Sequence, residues 1–553
     1  MSTNGDDDDV KKYFDNNDFP EVRGRHWNNA RSATQEEYYH KYKSGPQSVE
    51  NFLSSELLNM SHNDRNATLE EAHGVRCLAP EETPKLIKEA LYKLAIELDK
   101  LPVHKKRGYL ESQQTQEQNA TVFPNGITTR PTYVNTDEFR LRILRADLFD
   151  APKAATRMAN YLDVAWNLFG RYALFRPVKL SDFTKIELRV IRQGIAQFLP
   201  FRDRYGRRVL VVFMNEQLEE ISLAMRMKIC FYFTDAASRG DLESQRKGAV
   251  GLMWCQEAVK YKFKVTPANT HLQLHEFIPI RMSAVHVCTP DTPFYRIARS
   301  MFAISFGRDH LSRMRFHIGQ PIENRYALES HGISMDQMPI TWTGKLKQQY
   351  VKQWMRVREV LEEGDSSSSD VSKANASHHT KQIVECPQLS DVIFRQGTDV
   401  MHHPGNVMFR SRIQALYEEA KTQTMSRTTK TMAIALIQEI RSNKGRVLIW
   451  HQSKDKGTWT DLTDKEQIYN KIENMVRSFK YSKSKYQAIN RSHPTTHSSN
   501  SGSSSNIQNT KSNTSLFLQS SQEDGCCANT RGRKRAYESS DDDSYGDQCF
   551  CRL

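Results

Sequence analysis

The chain has 553 residues, of which 38% are hydrophobic, with 78 Lys and Arg against 65 Asp and Glu. That is room for about two to four domains, yet too polar a composition for one continuous globule. A net charge of +13 favours anionic partners, either phospholipid surfaces or nucleic acid, without choosing between them. No run reaches the roughly 18 apolar residues that span a bilayer, and an acidic start at Asp6–Asp9 with nine scattered cysteines predicts a reducing, intracellular setting without a disulfide framework.

Residues 1–78 are polar and lack sustained periodicity, which predicts a disordered arm. Order is expected from Thr83-Pro84, a capping hydroxyl before a first-turn proline, with Ile87, Leu91, Leu94 and Leu98 on one helix face. Thr136 caps a second helix whose Phe139, Ile143, Leu144 and Ala146 face inward, with Arg142 and Arg145 toward its sides. Asp150 and Pro152 restart the chain as a third helix through Ala155, Met158, Leu162, Ala165, Trp166 and Phe169, stopped by Gly170. A helix near 182–192 and a turn at 203–206 lead to a β-branched strand at Val209–Phe213.

From there helices alternate with strands at 249–255, 283–288 and 314–318, with helices near 218–233, 293–306 and 322–330. This alternation predicts an α/β layer with a largely parallel or mixed sheet. The Ser-rich stretch after Gly364 predicts a flexible linker. Beyond it, helices at 406–421, 429–441 and 465–479 with strands at 447–450 and near Trp459 predict a small α+β domain over 387–480. In its His403-Pro-Gly-Asn406, Pro-Gly is expected to turn the chain and Asn406 to cap the next helix. The Ser/Asn-rich residues 481–553 are expected to be a disordered tail.

Several motifs in order resemble the CRAL-TRIO lipid-binding family over about 83–347. Arg142-Ile-Leu-Arg145-Ala, with Phe149-Asp150 and Lys153-Ala154, is similar to its helical signature. Gly206-Arg-Arg-Val-Leu, Pro279-Ile-Arg-Met-Ser-Ala-Val-His286, Arg315-Phe-His-Ile-Gly319 and Met338-Pro-Ile-Thr-Trp-Thr-Gly344 resemble its successive strands and closing segment. The resemblance implies a helical part over 79–200 and a lipid-binding α/β core over 201–347, a mixed sheet flooring an apolar cavity under a mobile gate helix. A segment over 348–386 then holds a helix end and the linker.

The cavity candidates are Leu252, Trp254, Val285, Val287 and Phe316 on the strands and Phe294, Ile297, Met301 and Phe302 on the gate helix. Ile280 and Met314 stand where the phosphatidylinositol-transfer branch has an acidic residue and a lysine, so Arg313 and Arg315 are the candidates for an anionic headgroup. The implied ligand is one hydrophobic lipid, with transient docking on anionic membrane surfaces from a cytoplasmic, peripheral location. No cofactor, metal or catalytic group is expected: adjacent histidines such as His402 and His403 lack ligand spacing, and no Gly-rich phosphate loop, nucleophile elbow or His-Glu-x-x-His occurs.

Asp391-Val-Ile-Phe-Arg-Gln-Gly397, His403-Pro-Gly-Asn406, Phe409-Arg410 and Gly445-Arg-Val-Leu resemble a module of unknown function known mainly from diatoms and related algae. Residues 386–484 carry 16 Lys and Arg against 10 Asp and Glu, and the tail has a basic run at Arg531–Arg535. These support an alternative in which the module of a nuclear regulatory protein binds nucleic acid or a protein partner and the lipid is a sensed ligand.

Overall fold

The computed structural model describes residues 60–118, 121–123, 126–128, 132–256, 276–295, 299, 312–367, 383–395, 400, 402–422, 428–453 and 456–492. The chain divides into two compact units, one running to Arg412 and resuming over Ile437–Ile468, the other Ile413–Leu436 with the chain from Tyr469 onward.

Among the described residues the first helix of this unit lies inside the polar arm, α1 (His62–Ala72), capped by Ser61. Its Glu71 is buried and pairs with Arg281 at 2.7 Å and with Arg313. A polar segment is therefore ordered by charge pairing rather than by an apolar face.

Local capping chemistry then sets the next helices. Thr83 Oγ1 accepts the Leu86 N–H at 3.2 Å and starts α2 (Pro84–Lys100), which buries Ala90, Leu94 and Leu98 at helical spacing. After α3 (Arg107–Gln118) and a short hairpin, β1 (Thr121–Phe123) with β2 (Gly126–Thr128), Thr136 caps α4 (Asp137–Ala146) and Asp150 caps α5 (Ala151–Phe169). Between the two, Leu148 and Phe149 take left-handed backbone angles, φ 54° and 66°, the conformation that ends one helix before the next. Arg157 of α5 reaches back to Asp147 at 2.7 Å and fixes the corner.

Arg142 departs from its expected place on the side of α4. It is buried, stacks over the Phe139 and Tyr161 rings, and pairs with Asp235 at 2.9 Å. Burial pushes the Asp235 carboxyl up, but the Arg239 and Arg142 guanidiniums outweigh it and hold the group below the usual carboxylate range. The partner lies 93 residues along the chain, beyond the reach of helix periodicity.

A capping box of Thr184 and Glu187 opens α6 (Lys185–Arg192). The main sheet follows: β3 (Ala196–Phe198), β4 (Arg208–Met214), β5 (Ala249–Cys255), β6 (Met282–Thr289) and β7 (Met314–Ile318), in that spatial order, with β3 antiparallel and the rest parallel. This is the mixed α/β sheet expected from the alternation. The single helix expected near 218–233 is two, α7 (Glu216–Glu220) and α8 (Leu223–Ser238), with α9 (Leu242–Lys247) completing the crossover to β5. After β7 come α10 (Pro321–Ser330) and α11 (Gln349–Ser367).

A second sheet holds β8 (Ile383–Val384), β9 (Val392–Phe394), β10 (Val447–Ser453) and β11 (Lys456–Asp461) in the order β8-β11-β10-β9. It begins four residues before the expected start at 387. Val384, Ile393, Leu448 and Trp459 of this sheet share one buried cluster with Phe201, just after β3. α12 (Pro404–Thr422) starts before Asn406, so that residue is not the cap. Its side chain instead accepts from Ile393 N at 2.8 Å and donates to Ile393 O and Val400 O at 2.8 and 3.1 Å, tying the helix to β9. Gly405 fits the same contact: a Cβ there would lie 2.0 Å from the Asp391 carbonyl oxygen.

The second unit takes the rest of α12, most of α13 (Thr429–Ser442) and α14 (Lys465–Ser492) after Ile468. Tyr417 and Phe479 meet edge to face at 5.6 Å within it. α14 continues well past Tyr481, where the tail was expected to begin. The basic run at Arg531–Arg535 lies outside the described residues.

Candidate functional site

Residues two apart on a strand share a face, and the two faces of the main sheet are covered differently. One carries Val209, Val211, Phe213, Val250, Leu252, Trp254, Ala284 and Cys288, all buried against Leu328 of α10 and Ile333, Met338 and Ile340 after it. The other packs with α2, α4, α5 and α8 through Val285, Val287 and Met314.

On that second face, Leu210, Val212, Gly251 and Met253 of the inner strands β4 and β5, with Met282 and Phe316 beyond them, are only half-buried. Inner-strand positions of a five-stranded sheet are normally the most enclosed. Their exposure marks an apolar floor with open space above it. Gly251 helps to form it, because a Cβ there would press on Met282 Cε at 2.9 Å.

The sheet register divides the residues expected to line a cavity. Val285, Val287 and Phe316 belong to the face with the open floor. Leu252 and Trp254 lie on the opposite, filled face, so one cavity over the floor does not touch both sets. β5 reads Ala-Val-Gly-Leu-Met-Trp-Cys, apolar throughout, and offers no alternation from which to choose its inward set. Leu210, Val212 and Met253 are the floor residues that the sequence reading missed.

Phe294 sits in the first turn after Thr292-Pro293, 37% exposed and edge-on to Tyr295. The Tyr295 hydroxyl donates to Gln256 O at 2.8 Å, fastening that turn to the end of β5. Ile297, Met301 and Phe302 lie outside the described residues.

Neither headgroup candidate faces the floor. Arg313 is held by Glu71. Arg315 donates to Ser312 O at 3.0 Å and Met314 O at 2.6 Å, and it alternates with Phe316, so it projects to the filled face beside three histidines.

Those three form a cluster in which the ring nitrogens of His286, His317 and His331 lie within 4.8 Å of one another. His286 Nδ1 and His317 Nε2 are 2.9 Å apart, and His73 stacks on His331 at 4.7 Å. Burial pushes His317 down to about 4, with the Arg315 charge adding to it. Burial, then His317, His73, Arg315 and Arg207, bring His331 to about 4. Two guanidiniums therefore disfavour any further positive charge here, so the geometry suits a neutral hydrogen-bonded ring stack better than a cation site.

Residues 391–478 match the family described as a domain of unknown function (DUF6824). Over 290 residues, 50% of this chain and 82% of the relative, the sequence is 24% identical to Clavesin-1 of Xenopus laevis, a CRAL-TRIO protein. Half of the chain is thus distantly similar to a CRAL-TRIO protein. The sheet, its helical covering and the half-buried floor are consistent with that fold. Among the described residues no helix is long and apolar enough to cross a membrane.

Proposed function

We propose that the α/β part binds one hydrophobic lipid over the open face of the main sheet, on the floor of Leu210, Val212, Met253 and Phe316 with Val285 and Val287 beneath, and under a gate helix carrying Ile297, Met301 and Phe302. The carrying observation is the partial burial of apolar side chains on inner strands, supported by the likeness to Clavesin-1. Each methylene removed from water contributes about 0.8 kcal/mol, so a long chain is retained without catalytic groups. The protein binds and releases its ligand rather than converting it, loading by gate opening during transient contact with anionic membrane surfaces from the cytoplasm.

Native mass spectrometry of the full-length protein is expected to show one lipid per chain. Met253→Asp on the floor and Met301→Asp on the gate should each lower lipid content by roughly tenfold, since both place a carboxylate against hydrocarbon. A protein that carries no lipid and extracts none from liposomes, or two variants loaded like wild type, overturns the reading.

A further inference from the structure

Away from the lipid floor, the first unit has a partly open cavity of about 540 Å³ lined by six arginines: Arg142, Arg202, Arg208, Arg239, Arg358 and Arg446. They converge from α4, the loop before β4, the start of β4, the end of α8, α11 and the residue before β10. Glu385, Cys386 and Gln388, which follow β8, close one wall. The volume is that of a small-molecule site.

Four of these arginines form one continuous ion-pair chain. Arg142 and Arg239 share Asp235, Arg239 and Arg358 share Glu362, and Arg358 and Arg208 share Glu385. Four guanidiniums thus meet three carboxylates, leaving one positive charge over. Arg202 with Asp241 and Arg446 with Asp391 are balanced pairs, and Glu138 at the rim is exposed.

The donors are also in excess. Nε of Arg142, Arg208 and Arg358 is buried without a partner, in residues no more than 5% exposed. A buried guanidinium donor left without an acceptor is costly. Six guanidiniums around one cavity, with one positive charge left over by their carboxylates, suit an acceptor rich in oxygen, and the arginine fork matches a phosphate group.

We propose that this cavity binds a small phosphorylated molecule, its phosphate held by Arg142, Arg208 and Arg358 and its other end bounded by Arg446. Because Glu385 and Arg446 belong to the segments around the second sheet, the ligand touches both that sheet and the helices of the lipid-binding part. The phosphate can come from a soluble metabolite or from a phosphorylated lipid headgroup.

Isothermal titration calorimetry of the full-length protein with inorganic pyrophosphate, at constant ionic strength set with chloride, provides the test. Saturable binding is expected, with Arg358→Gln and Arg446→Gln each weakening it roughly tenfold or more. Arg446 is the least enclosed member of the pair, so its variant decides the matter if Arg358→Gln does not fold. A parallel flotation assay uses phosphatidylcholine vesicles with and without phosphatidylinositol 4-phosphate. Pyrophosphate binding without phosphate-dependent flotation assigns a soluble ligand; flotation that needs the phosphorylated lipid and is lost in Arg446→Gln assigns a headgroup. Neither pyrophosphate binding nor phosphate-dependent flotation in wild type, or an Arg446→Gln protein indistinguishable from wild type in both assays, overturns the proposal.

Discussion

Replacing Glu385 by Gln tests the buried charge network most directly. The carboxylate accepts from Arg208 at 2.8 Å, Arg358 at 3.0 Å and Trp354 Nε1 at 2.7 Å. An amide of the same shape keeps one acceptor oxygen, enough for the indole, but removes the charge shared by two enclosed guanidiniums. Arg358 retains Glu362; Arg208 loses its carboxylate. Breaking a buried pair from one side costs about 3–5 kcal/mol. The electrostatics of the group lead to a similar figure: burial pushes the Glu385 carboxyl up, Arg208 and Arg358 outweigh it, and the group is held at about 2 against an ordinary 4.5, which corresponds to roughly 3 kcal/mol. Because the folded value lies below the unfolded one, this stabilisation is complete above pH 4.5 and is lost as pH falls toward 2. Urea unfolding followed by tryptophan fluorescence should therefore place the variant well below wild type at pH 7, with the gap narrowing at pH 3. Equal midpoints at pH 7, or a gap unchanged at pH 3, would refute the reasoning.

The histidine cluster gives a prediction at higher pH. His317 and His331 are held down to about 4 in the folded chain, so their contribution is complete above 6.5 and falls as pH drops toward 4; unfolding midpoints measured at steps across that window should decline, and a His331→Asn variant should decline less steeply. In the second sheet, Asn406→Ala leaves the Ile393 N–H and two carbonyls without their side-chain partner and is expected to cost about 2 kcal/mol by chemical denaturation. A loss under about 0.5 kcal/mol would show that water replaces the amide without penalty.

What could be read from the sequence is what neighbouring residues decide among themselves. Thr83, Thr136 and Asp150 cap because a short oxygen-bearing side chain reaches an amide two or three residues on, and all three helices begin where those residues stand. The limits of β5 followed from its apolar run. Its facing did not, because a strand enclosed on both sides carries no polar face to orient it, and the open floor passed to Gly251 and Met253 instead of Leu252 and Trp254. Charged partners separated by long stretches were equally out of reach. Arg142 finds Asp235, and Arg313 finds Glu71 from an arm whose composition alone argued for disorder. Asn406 shows the same limit at short range, since a capping residue and a cross-tie have the same side chain and only the position of β9 distinguishes them.

The ion-pair chain also bears on how the second sheet is attached. β8 is two residues long and among the described residues pairs with β11 alone, too short to be held by its own ladder. Immediately after it, Glu385 binds Arg208 at the start of β4 and Arg358 on α11, while the Arg202 guanidinium donates to Pro387 O at 3.2 Å. The β8 segment is thus anchored to the main sheet by charge, on the wall of the cavity assigned to a phosphorylated ligand. A phosphate there would compete with Glu385 for the same guanidiniums. Ligand affinity and the hold on β8 are therefore linked: a ligand that replaced the carboxylate would loosen the segment, and one that left the Glu385 pairs in place and added its own would tighten it. Binding energy that distinguishes the two arrangements must appear in both equilibria.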